Sequence, residues 1–88
     1  EEAQSLCGRV AMLNKGRLEE VNTPKGFIDG LGAYAIDEMT ESGVKNHYFS
    51  SKEDAIAFLS AGSEKMALRE TTLEDVFVER VGDYLNRQ

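Results

Sequence analysis

The spacing of apolar positions along the chain changes several times, and each change marks the edge of an element. Ala3, Leu6 and Cys7 fall at helical spacing, so Glu1 to Cys7 is predicted to be the tail of a helix, with Gly8 just beyond its last turn. Arg9 to Asn14 is a short β-rich run, and Asn14-Lys15-Gly16-Arg17 is a turn with glycine where positive φ is wanted. Leu18 to Val21 then returns as the second strand of a hairpin. Thr23 as N-cap and Pro24 at the first helical position open a short helix that ends near Leu31.

From Ala33 the alternation sharpens. Ala33, Ala35 and Asp37 point one way and Tyr34, Ile36 and Glu38 the other, until Thr40-Glu41-Ser42-Gly43 turns the chain into a second strand, Val44 to Phe49. Ser51 and Asp54 then have the spacing of a capping box, Ala55, Ile56, Phe58 and Leu59 give the next helix an apolar face, and Gly62 ends it. Lys65 to Glu70 reads as a further short strand with Met66 and Leu68 on one side. The last element is a C-terminal amphipathic helix. Thr72 is its N-cap, Glu74 and Asp75 lie in its first turn, and Leu73, Val76, Phe77, Val81, Tyr84 and Leu85 form its apolar stripe. The stripe is wide enough to pack on a sheet with a margin left over. Phe77 is expected at its buried centre, and Phe77, Val81, Tyr84 and Leu85 are the candidate interaction residues. The fold class is therefore α+β: antiparallel hairpins forming a small sheet with helices packed on one face.

Composition narrows the function. At 88 residues, the chain has room for a single compact unit with a modest core. Its net charge of −6 opposes a partner held through phosphates, so nucleic acid is excluded as the expected ligand. The one cysteine, Cys7, cannot form an internal disulfide and reads as a small core residue. No apolar run is long enough to span a bilayer, and no basic segment precedes a hydrophobic one as in a secretory signal. The chain begins Glu1-Glu2-Ala3, which suggests a piece of a longer polypeptide.

Candidate chemistry is sparse. His47 is the only histidine, has no cysteine or second histidine to complete a zinc cage, and reads as a strand residue. The acidic pairs Glu19-Glu20, Asp37-Glu38 and Glu74-Asp75 lie in polar runs and read as solvated surface. No glycine is followed by lysine, so the backbone cradle of a P-loop, whose lysine reaches the outer phosphates, is missing. No catalytic, cofactor-binding or metal-binding residue is assigned.

Two stretches nevertheless resemble one family. Glu1-Glu2-Ala3, then Leu6-Cys7-Gly8-Arg9-Val10, Gly16-Arg17 and Thr23-Pro24 resemble the stretch that closes the nucleotide-binding domain of ABC transporter ATPases. In those proteins a helix leads into a strand, a Gly-Arg turn, a returning strand and a Gly-Thr-Pro helix start. Gly8 stands where that family commonly has Asp, and Asn22 where it commonly has Gly. Thr72-Leu73-Glu74-Asp75-Val76-Phe77 is similar to the segment that ends many exporter and drug-resistance cassettes with a C-terminal extension. Leu59-Ser60-Ala61-Gly62-Ser63 echoes the family's signature but would close a helix rather than open one, so it is not carried over.

The resemblance implies that residues 1–32 end the nucleotide-binding core and residues 33–88 form a ββαβα extension. It also implies an intact protein that binds ATP and magnesium and hydrolyses ATP to drive transport, with no cofactor held by these 88 residues. The implied partners are the rest of the nucleotide-binding domain, a membrane permease subunit and, for this segment, a second copy as a homodimer. The implied location is the cytoplasmic face of the membrane. The segment itself would serve packing, dimer contact or regulation, with a small-molecule-sensing module or a structural cap as alternatives.

Overall fold

The computed structural model describes residues 2–6, 8–62 and 65–86, with the side chains of residues 2–6, 84 and 86 outside that description. The element order is β1 (Glu2–Leu6), β2 (Arg9–Asn14), β3 (Arg17–Asn22), α1 (Pro24–Leu31), β4 (Tyr34–Thr40), β5 (Gly43–Phe49), α2 (Lys52–Ala61), β6 (Met66–Glu70) and α3 (Leu73–Asn86). The fold is α+β, its strands making two antiparallel three-stranded sheets in the orders β1-β2-β3 and β5-β4-β6. Close contacts group the chain into two compact units, one of residues 1–28 with 72–88 and one of residues 29–71. The division by sequence at residues 32 and 33 had kept the last helix with the middle of the chain.

In the first unit, the predicted N-terminal helix is replaced by β1, which pairs antiparallel with β2 from Glu2↔Leu13 to Leu6↔Arg9. Pairing decides between the two conformations: as a strand beside β2, the segment and its neighbour satisfy each other's backbone N–H and C=O groups along the ladder. Gly8, at φ 80°, lies in the turn into β2 instead of ending a helix. Cys7 lies outside the described residues, so its predicted core role does not enter here.

The β2–β3 hairpin forms as expected. Lys15 at φ 55° and Gly16 at φ 77° have the two positive φ values of a type I′ turn, whose twist suits a two-residue hairpin loop. A register shift at Met12/Leu13, which moves the partner from Glu20 to Leu18, leaves Glu19 as the extra residue of a β-bulge. Val10, Ala11 and Met12 are all buried, the burial pattern of a strand covered on both faces. Thr23 caps α1, its hydroxyl accepting the Gly26 N–H at 2.9 Å, and Phe27 is the buried residue of that helix.

The second unit is a ββαβ arrangement. β4 is its central strand, paired with β5 from Tyr34↔Phe49 to Thr40↔Gly43 and with β6 from Tyr34↔Glu70 to Glu38↔Met66. α2 covers one face, on which the pairing places Tyr34, Ile36, Glu38, His47, Phe49 and Leu68. Ser51 caps α2 by accepting the Asp54 N–H at 3.1 Å, and Gly62 closes it with an N–H donated to the Leu59 carbonyl. Ile36 and Ala55 are fully buried. Gly32 has φ 130°, and a Cβ on it would lie 2.9 Å from the Phe49 amide nitrogen, so the entry to β4 requires glycine both for conformation and for space. Buried Thr71 fastens the exit of β6 to the same corner, donating its N–H to the Ala33 carbonyl and its hydroxyl to the Gly32 carbonyl.

Candidate functional site

α3 carries all four residues that the sequence singled out for interaction. Its start is fixed by a reciprocal cap: the Thr72 N–H and hydroxyl donate to Asp75 Oδ2 at 2.8 and 3.0 Å, and the Asp75 N–H donates to Thr72 Oγ1 at 3.3 Å. Among the described side chains of the helix Val76 is the fully buried one, whereas Phe77, predicted to be at the buried centre, is half-buried. The apolar stripe is broad, and the tertiary packing centres it one residue earlier. Val81 is also half-buried, and Leu85 is 60% exposed. The Tyr84 side chain lies outside the described residues. Val78, which the stripe omitted, is 57% exposed. Across the helix from that margin, Arg80 donates from Nε to Glu20 Oε2 of β3 at 2.6 Å.

The second unit contributes two polar constellations: His47, read from the sequence as a strand residue, and the Asp37-Glu38 pair, read as solvated surface, which is half-buried and engaged with neighbouring strands. On the face away from α2, Asp37 accepts Arg69 Nε at 2.7 Å and Nη2 at 3.1 Å, and Asn46 Nδ2 at 2.6 Å. The forked Arg–carboxylate geometry links β4 to β6, and the asparagine links β4 to β5. Because each charge is answered within the cluster, it ties three strands together. Beneath α2, His47 Nε2 lies 2.9 Å from Glu38 Oε1 and its ring centroid 4.6 Å from that of Phe58, which also meets Phe49 at 5.2 Å. His47 is thus a packed strand residue with one ring nitrogen engaged. The signal that could have shown these pairs is cross-strand register: Asp37 faces Asn46, and Glu38 is one diagonal step from His47.

Beside the Asp37 cluster, a groove of about 450 Å³ is lined by Asp37, Met39, Val44, Lys65, Met66 and Ala67. Met39 is 57% and Val44 55% exposed, so the lining is open and largely apolar.

Among the described residues no group of three His, Cys, Asp or Glu side chains converges as a metal cage. Among the described residues no helix is long and apolar enough to cross a membrane. No family model, curated protein or solved structure matches the chain.

Proposed function

We propose that the chain is the C-terminal part of the ATPase subunit of an ABC transporter of the exporter or drug-resistance type, acting at the cytoplasmic face of a membrane. The rest of that subunit would bind ATP with magnesium and hydrolyse it, and a permease subunit would carry the transported molecule. The observation that carries this reading is the ordered pair of motifs at the two ends of the chain. Strand, Gly-Arg turn, strand and Thr-Pro helix run from Arg9 to Leu31, and the Thr72–Asp75 cap opens the Leu-Glu-Asp-Val-Phe helix. At Glu2–Leu6 the chain has a strand where the family has a helix, and the middle of the chain, 33–70, is matched by position and pattern alone.

Within that subunit the segment serves packing and regulation. The groove at Met39, Val44, Met66 and Ala67 favours a regulatory role over a plain cap, since it has a volume of about 450 Å³ and a largely apolar lining. Reading the coding sequence upstream of Glu1 tests the assignment. A Thr-His or Ser-His pair a few residues before Glu1, with Leu-Ser-Gly-Gly-Gln further up, is the expected result, and an upstream region lacking both overturns it. The 88 residues alone are expected to show no saturable chemical-shift changes with ATP and magnesium at sub-millimolar concentrations.

A further inference from the structure

The outward face of α3 has a composition that packing within the chain does not explain. Val78 is 57% and Leu85 60% exposed, and Gly82 lies between them, so the three make an apolar ridge at i, i+4 and i+7. Glu79 and Asp83, both exposed, run along one side of this ridge, and exposed Glu74 stands at its N-terminal end. Among the described residues Asp83 has a distant intrahelical partner, Arg80 Nη1 at 4.0 Å, and Glu74 and Glu79 have no ion pair.

Gly82 is an independent sign. Glycine inside a helix costs about 1 kcal/mol relative to alanine. A Cβ built on Gly82 would meet nothing within 4 Å, and its φ is not positive, so neither space nor backbone conformation within this chain calls for glycine. A bare backbone on an exposed ridge instead permits close approach by something outside the chain.

The geometry points to a docking surface on α3, made of Val78, Gly82 and Leu85 and edged by Glu79 and Asp83, for a basic amphipathic helix of another protein. The ridge receives that helix's apolar residues, the bare Gly82 lets the two backbones approach, and the acidic border pairs with Lys or Arg beside the apolar stripe. A second copy of the chain fits worse. Two α3 helices crossing antiparallel at Gly82 would bring Glu79 and Asp83 of one against the same acids of the other, in a chain whose net charge is already −6. The surface goes beyond the functional reading above and does not depend on it.

The test is a titration of the 88-residue chain with a designed helical peptide of about five turns, carrying Leu at i, i+3 and i+7 flanked by Lys and Arg, and with a control peptide in which Glu replaces those bases. The basic peptide is expected to shift the amide resonances of Val78, Gly82 and Leu85, and the acidic one to leave them unmoved. Glu79→Lys with Asp83→Lys should weaken the basic peptide about tenfold, the scale of two exposed ion pairs lost and reversed. Gly82→Leu should abolish binding while leaving the circular dichroism spectrum and melting temperature as high as those of the parent chain, since the new side chain projects into open space. Overturning results are equal binding of both peptides, no binding of the basic one, or a Gly82→Leu chain that binds unchanged. Sedimentation showing a dimer that Gly82→Leu dissolves would assign the ridge to a second copy and would likewise overturn the proposal.

Discussion

In the β1-β2-β3 sheet the central strand is buried at three successive positions, Val10, Ala11 and Met12, whereas in the β5-β4-β6 sheet burial ends at Ala35 and Ile36. The positions that follow, Asp37 and Glu38, are half-exposed and hydrogen-bonded to neighbouring strands. The first sheet belongs to a unit drawn from both ends of the chain, residues 1–28 and 72–88, and the second to the uninterrupted stretch 29–71. A unit made of one continuous stretch closes short loops and can be held by neighbouring turns, caps and cross-strand polar pairs. A unit assembled from two distant stretches must bring them together against a larger loop-closure entropy and depends more on buried apolar surface. The polar ties reflect this. Those of the second unit link adjacent strands, whereas the Arg80–Glu20 pair of the first joins residues sixty positions apart.

The largest expected effects would break the comparison outright. Met12→Ala and Ile36→Ala each remove a fully buried side chain from a central strand and should cost about 2–5 kcal/mol. Hydrogen exchange on the two variants distinguishes the units: Met12→Ala should raise exchange chiefly in β2, β3 and α3, and Ile36→Ala chiefly in β4, β5 and β6. Equal acceleration everywhere in both variants would mean that the chain opens as one unit.

Gly32→Ala comes next, because it places a Cβ 2.9 Å from the Phe49 amide at φ 130°. A loss of about 1–3 kcal/mol in chemical denaturation is expected, with the amides of Thr71 and Phe49 exchanging faster. A silent substitution would show that the corner at Gly32 and Thr71 does not hold the second unit.

Smaller effects sharpen the picture for the first unit. Thr72→Ala removes the cap of α3 and should cost about 1 kcal/mol in thermal melts. A double-mutant cycle on Arg80→Ala and Glu20→Ala should give a coupling of under about 1 kcal/mol that falls with salt, since both side chains are partly exposed. A coupling several times larger would make this long-range pair a principal fastening of the unit.

Most of the fold was legible along the chain because its signals are local. Thr23-Pro24, Ser51 with Asp54 and Thr72 with Asp75 announce helix starts whose capping bonds form within three residues. Lys15-Gly16 and Glu41-Ser42 announce hairpins, whose loops need only their own backbone angles and side chains. Legibility failed where two periods were equally available. Glu2 to Leu6 satisfies helical spacing, yet pairing with β2 decides its conformation, and a ladder partner leaves no mark in five residues. The candidate site was legible only in part for the same reason. The stripe of α3 marked Val81 and Leu85, while the centring of burial on Val76 rather than Phe77, and the exposure of Val78, depend on how the helix is rotated against its surroundings.

By itself the sequence determined the α+β class, the order of elements from Arg9 onward, the capped helix starts, and the absence of a Gly-Lys phosphate cradle, all of which rest on neighbouring residues or on composition. Tertiary structure alone decided that the hairpins divide into two sheets, that Asp37 is claimed by Arg69 and Asn46, and that Val78, Gly82 and Leu85 are left facing outward. These depend on strand register and helix rotation, which are set by free-energy differences among packings of residues far apart in the chain and so are not encoded at any single position.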